Sequence, residues 1–262
     1  MRISILTLSL AAMALPLAAQ AQTVSAPASS MHAAPAYVKA AINDPARKAD
    51  QANDARRKMT AVMTFTGVKP GDTVVELAPG SGYWTRVFSR IVGTGGHVYQ
   101  VWPEQMLKYS KKSLAKWKQL SATSHYANVG VQVEPAQTLS APSKADVVFT
   151  SQNYHDYHNM GIDIAAFDKS VFDALKPGGV FIVIDHAAPA GSGTSDTDTL
   201  HRIDPATVKQ EIEAAGFVFD GSSDALHNAN DPHTATVFDK SIRGHTDQFI
   251  YRFRKPESGS SK

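Results

Sequence analysis

The chain has 262 residues, 43% of them hydrophobic, and a formal charge of +2 without a long run of like charge. That length and apolar content suffice for one sizeable α/β core, and the near-neutral balance argues against a dedicated nucleic-acid surface. There is no cysteine, so disulfides, zinc–thiolate sites and thiol nucleophiles are excluded.

Arg2 precedes the apolar run Ile3 to Leu17, and Ala19-Gln20-Ala21 follows. This is the pattern of a signal peptide cleaved after Ala21. The run is short for a membrane span and contains Ser4, Thr7 and Ser9. A mature chain starting at Gln22 is expected in the periplasm, with no membrane attachment after cleavage. The residues from 22 to 40, rich in Ala, Ser and Pro at first, read as a disordered lead-in. A single domain is expected over 41–255, with 256–262 as a disordered tail. Asn43-Asp44-Pro45 opens a helix. Its polar pattern runs through Arg47, Asp54, Arg56 and Arg57 towards Phe65, so it is expected to lie over the core. Arg56 and Arg57 read as a solvated face.

Thr73-Val74-Val75-Glu76-Leu77 reads as a buried strand. The turn Ala78-Pro79-Gly80-Ser81-Gly82 leads into a helix from Tyr83 to Val92. Gly80 and Gly82 let a ligand approach the backbone, and the new helix points amide groups at it. Further strands are expected at 97–101, 129–133, 145–150 and 180–184, with a helix and strand after Asp204-Pro205 and a last strand at 248–253.

The richest polar cluster follows the fourth of these strands: Ser151-Gln152-Asn153-Tyr154-His155-Asp156-Tyr157-His158-Asn159. In open α/β sheets ligands bind beyond the carboxyl ends of the strands. His155 is the first candidate for a general base, with Asp156 or Tyr154 orienting it or the substrate. Asp185 and His186 close the fifth strand at the same edge. His201 and Arg202 are expected to face the substrate across from His155.

The segment E-x-A-P-G-S-G at Glu76 to Gly82, Lys69-Pro70-Gly71-Asp72 before it, and Leu175-Lys176-Pro177-Gly178-Gly179 before a later strand resemble the class I S-adenosylmethionine (SAM) methyltransferases. The likeness covers residues 60–220 as an ordered series and suggests an exported branch of that superfamily. It implies an α/β, Rossmann-like class I methyltransferase fold: a mostly parallel seven-stranded sheet with helices on both faces and the last hairpin antiparallel. It implies SAM as cofactor, held by Glu76, Ala78, Gly80 and Gly82, with Ala78 where the family often has its first glycine. It also implies that the N-terminal helix covers cofactor or substrate, where Arg56 and Arg57 would meet a carboxylate as the alternative to a solvated face.

The family pattern puts an acidic residue at the end of the second strand to hold the ribose hydroxyls, and Trp102 stands there. Either Glu104 reaches back, or Trp102 stacks on adenine, or the cofactor is not bound. Glu134-Pro135-Ala136 replaces the usual Gly-Asp-Ala that contacts the adenine, with Glu134 or Gln137 as substitutes.

The leading expectation is methyl transfer to a small-molecule or exported macromolecular acceptor. One alternative is a non-catalytic binding protein on a degenerate scaffold. The other is a metal-dependent enzyme, because His155, His158, Asp156, Asp185 and His186 offer nitrogen and oxygen ligands without thiols.

Overall fold

The computed structural model describes residues 33–257. The expected signal peptide, most of the expected lead-in and residues 258–262 lie outside the described residues. Seven strands build one sheet: β1 (Thr73–Leu77), β2 (His97–Pro103), β3 (Val129–Glu134), β4 (Ala145–Ser151), β5 (Leu175–His186), β6 (Val218–Ser223) and β7 (Gln248–Arg254). Their order is β3-β2-β1-β4-β5-β7-β6. The first five strands run parallel, and β7 pairs antiparallel with both β5 and β6. The expected architecture is therefore the observed one.

The pleat sorts the apolar residues onto two faces. Val74, Val98, Val147, Phe149 and Ile182 face α1 (Ala36–Ile42), α2 (Met59–Thr66), α3 (Tyr83–Val92) and α4 (Leu107–Leu120). Val75, Val101, Val148, Phe181 and Val183 face α5 (Tyr154–Asn159), α6 (Ile164–Ala174) and α7 (Pro205–Ala214). Each fully buried aliphatic or aromatic side chain is worth about 1.5–3 kcal/mol. Burial on both faces explains why these strands read as continuous apolar runs rather than alternating ones. Among the described residues no helix is long and apolar enough to cross a membrane.

The N-terminal expectations need correction. The continuous helix from Pro45 to Phe65 is absent. Short 3-10 turns at Pro45–Arg47 and Gln51–Asn53 carry the chain to Lys58, which is left-handed at φ 49°, and only then does α2 begin. The acidic residues of this segment also reach across to α3, while Asp54 keeps Arg47 as a local partner at 2.8 Å. Arg86 pairs with Asp50 at 2.5 Å, and the Tyr83 hydroxyl donates to Asp54 at 2.6 Å. The end of the expected lead-in is folded as well: α1 buries Val38 and Ala41 and packs on α3. The polar segment after β4 forms the short helix α5.

Strand order reverses at β1, whose neighbours are β2 and β4. The carboxyl ends of these strands therefore open a crevice, the usual ligand position in such sheets.

Candidate functional site

The loop from β1 to α3 turns through left-handed backbone at Ala78 (φ 48°), Gly80 (φ 56°) and Gly82 (φ 76°). The two glycines are there for different reasons. A Cβ on Gly80 would meet nothing within 4 Å, so that position faces open space. A Cβ on Gly82 would lie 2.1 Å from Trp117 Cζ2. Trp117 is fully buried on α4 and its indole donates to the Ser81 carbonyl at 3.1 Å, so it has nowhere to go. Gly82→Ala is expected to destabilise the fold by about 3 kcal/mol or more, combining overpacking with an unfavourable φ. Chemical denaturation measures this, and a loss below about 1 kcal/mol would contradict the tight packing.

A cavity of about 200 Å³ opens beside the loop. Glu76, Ala78, Gly80, Trp84, Asn153 and Arg57 line it. Asn153 donates to the Ser151 carbonyl at 2.8 Å and to the Ala78 carbonyl at 3.4 Å, and so ties the end of β4 to the loop. Arg57, expected in solvent, stacks instead over Tyr83 (4.7 Å) and Trp84 (5.7 Å). Among the described residues its guanidinium has no ion pair, and burial together with nearby Arg56 lowers its pKa. A cation without its own counterion on a cavity wall is a ready partner for a carboxylate. A larger cavity of about 480 Å³ lies at the opposite end of the sheet, lined by Arg90, His97 and Asn128. It sits at the amino end of β2, away from the crevice.

Glu76 is fully buried. Burial pushes its carboxyl up to about 8, against the opposing effects of a Thr85 hydrogen bond and the Arg86 charge. The Thr85 hydroxyl donates to Glu76 Oε2, and Gln100 Nε2 donates to Thr85 Oγ1 at 2.7 Å. The Trp102 indole donates to Gln100 Oε1 at 3.2 Å and completes the chain. Trp102 is 1% exposed and packs in the core under α3 and α4, so its ring does not stack on a ligand in the crevice. Glu104, just beyond β2, is exposed and outside the cavity lining. Glu134 bonds Ser140, and Gln137 bonds Gln105.

The second half of the site lies at the ends of β4 and β5. Asp185 is buried and accepts from the backbone N–H groups of His155 and His186, each at 2.8 Å, and pairs with His155 Nδ1 at 2.8 Å. On its other side His155 Nε2 faces Asp156 Oδ1 at 3.3 Å. Burial alone would lower the His155 pKa, but the two carboxylates raise it to about 10. Held between two carboxylates, the ring is favoured in its protonated form. Burial holds His186 down at about 4, with its Nδ1 2.8 Å from Thr246 Oγ1.

His201 is brought in as expected. Its ring meets His155 edge-on at 5.4 Å, and its Nδ1 is 3.4 Å from Asp156 Oδ1. The other sequence candidates are placed elsewhere. Tyr154 is buried under the sheet, its hydroxyl between Asp168 (2.8 Å) and Glu211 (3.2 Å), so it cannot orient His155. His158 pairs with Glu211 at 3.3 Å. Arg202 is 0% exposed and holds Asp231 with two nitrogens, at 2.8 and 3.1 Å, along with the carbonyls of Ala187 and Ala235. It fixes loops and does not face a substrate.

The sequence profile of the ubiE/COQ5 methyltransferase family matches residues 44–198. A protein-L-isoaspartate O-methyltransferase of Methanosarcina mazei is 30% identical over 47% of this chain and 42% of its own length. A ubiquinone/menaquinone biosynthesis C-methyltransferase of Vibrio campbellii is 27% identical over 74% of this chain and 66% of its own. The chain thus spans less than two thirds of the length of these curated relatives. The crystal structure of a SAM-dependent methyltransferase from Aquifex aeolicus shares the fold, with a TM-score of 0.52 and 18% identity over 83% of this chain and 96% of that one.

Proposed function

The chain belongs to the ubiE/COQ5 methyltransferase family, and from that premise we propose that it binds SAM at the 78–82 loop and methylates an acceptor lying against His155, His186 and His201. The observation that carries this reading is the cavity between Gly80 and Arg57. Gly80 leaves open space, Arg57 presents an unneutralised cation, and both sit at the point where strand order reverses. SAM, when bound, supplies a methyl group on a sulfonium for attack by the acceptor.

The residues present fit the amino-acid end of that cofactor. Arg57 would hold the carboxylate, and Glu76, Asn153 and the loop backbone would hold the ammonium group. The cavity is smaller than the roughly 300–1,000 Å³ of typical small-molecule sites. The nucleoside end would thus lie along the open ends of β2 and β3, with Glu104 as the carboxylate for the ribose. The histidines at the ends of β4 and β5 would then position the acceptor for in-line approach.

Calorimetry with SAM and S-adenosylhomocysteine tests the cofactor half. The wild-type chain is expected to bind both. Gly80→Val should abolish binding while leaving thermal stability within about 2 kcal/mol. Arg57→Ala should weaken binding by about 10- to 100-fold, the worth of a charge-assisted hydrogen bond. Failure of the wild type to bind millimolar SAM would sink the proposal and leave the binding-protein alternative. That alternative draws on the burial of Trp102 where the family pattern has an acid.

The acceptor class follows from the compartment we propose, the periplasm. The support is the sequence alone: Arg2, the apolar run Ile3 to Leu17, and Ala19-Gln20-Ala21. Cell fractionation with N-terminal sequencing should find Gln22 as the first residue, and full-length chain in the cytoplasm would overturn the export part.

A further inference from the structure

We propose that His155 Nε2, Asp156 Oδ1 and His201 Nδ1 form a binding site for a divalent first-row transition metal, of which zinc is the simplest probe. These three ligand atoms lie within 4.8 Å of one another. The carboxylate oxygen is 3.3 Å from one imidazole nitrogen and 3.4 Å from the other. Donors bound tetrahedrally to one ion at about 2.1 Å stand roughly 3.4 Å apart, so both carboxylate–imidazole pairs have the spacing of a metal site, and the two imidazoles stand within 4.8 Å of each other.

Three further features separate it from a chance cluster. First, His155 already has the outer partner that metal-binding histidines use. Asp185, fully buried and itself fixed by two backbone N–H groups, takes Nδ1 and leaves Nε2 aimed at Asp156 and His201. Such a carboxylate sets ring orientation and strengthens the ligand.

Second, His201 is delivered on strained backbone. Its φ of 55° is uncommon for any residue but glycine, and its neighbours enforce it. Ile203 donates to the His186 carbonyl at 3.0 Å, and Arg202 is clamped beneath. Strain of this kind persists where the surroundings over-determine it and concentrates at functional positions.

Third, Asp156 and His201 have side chains 21% and 30% exposed, so the site is reachable from solvent. Two imidazoles and one carboxylate suit zinc and its neighbours better than magnesium or calcium. The sequence suggested pairing His155 with His158, but α5 turns His158 away to Glu211.

The rival explanation is a His–Asp–His cluster held together by protons alone. The test uses the whole chain, stripped with chelator and without SAM, so its outcome does not depend on methyl transfer. Zinc is titrated by calorimetry and cobalt(II) by visible absorption, with magnesium as control. One zinc per chain and intense cobalt bands are expected, with no magnesium binding. His201→Ala should remove both signals while the metal-free unfolding temperature stays at the wild-type value. Asp185→Asn should weaken zinc by about 10- to 100-fold, and His158→Ala should leave it unchanged. Absence of binding at millimolar zinc, or binding that survives both His201→Ala and Asp156→Ala, would overturn the site. If Asp185→Asn does not fold, the His201→Ala comparison decides alone.

Discussion

Arg202→Ala is expected to cost about 3–5 kcal/mol of stability in a denaturant titration. The reason is the carboxylate left behind. Asp231 is buried, and Arg202 supplies two of its hydrogen bonds; the others come from the backbone N–H groups of Asp247 and His233. Taking away the guanidinium strands that charge and also releases the carbonyls of Ala187 and Ala235. Arg202→Lys should recover only part of the loss, because an ammonium cannot reproduce the two-pronged contact. Replacing both partners with apolar residues should hurt less than either single change. A single-mutant cost below about 1 kcal/mol would show that the pair is not the clamp it looks. The His201 segment should loosen together with the clamp, because residues 201–203 are its continuation.

Glu76→Gln is expected to stabilise the protein at alkaline pH and to change little in acid. The folded carboxyl titrates near 8 against an ordinary 4.5, so folding favours its protonated form. Stability from this group is fully present below about pH 4.5 and drains away as pH rises to about 8. Each unit is worth about 1.36 kcal/mol, so the total is on the order of 4 kcal/mol. Glutamine keeps the shape and an acceptor for the Thr85 hydroxyl but carries no charge to desolvate. Urea unfolding at pH 5, 7 and 9 should therefore show a gap between variant and wild type that widens with pH. A gap of constant size would mean that Glu76 is not the neutral acid described above.

The strands were legible because each is a run of β-branched and aromatic residues between turn formers, and burial on two sides leaves no polar face to confuse the period. Thr73–Leu77 and Tyr83–Val92 were read to the residue. The N-terminal segment was misread for a physical reason. Asp44-Pro45 is a sound helix start, but Asp50 pairs with Arg86 of α3, and Asp54, besides its local partner Arg47, accepts from Tyr83 of α3; these tertiary bonds leave no mark in the local sequence. Arg57 was misjudged by the same logic, since a charge on a polar stretch gives no sign that two aromatic rings lie beneath it. Within the site, His155 and Asp156 announced themselves by proximity in sequence. That Tyr154 points the opposite way follows from the start of α5, of which a run of polar residues gives no sign. Trp102 was located correctly at the end of β2. Its downward orientation depends on Gln100, two residues earlier on the same face.

The position of β7 has a consequence for how the chain acquires its structure. That strand lies inside the sheet, between β5 and β6, yet it is made last. Until residues 248–254 have left the ribosome, β5 presents a row of unpaired backbone groups and a Val-Phe-Ile-Val-Ile run along an open edge. Such an edge is a template for pairing between chains. The nascent protein must therefore be held apart from its copies from the time β5 emerges until β7 follows it, and closure of the sheet is a late event. Chains that stop short of Gln248 would be expected to aggregate rather than to fold into a smaller version of the domain.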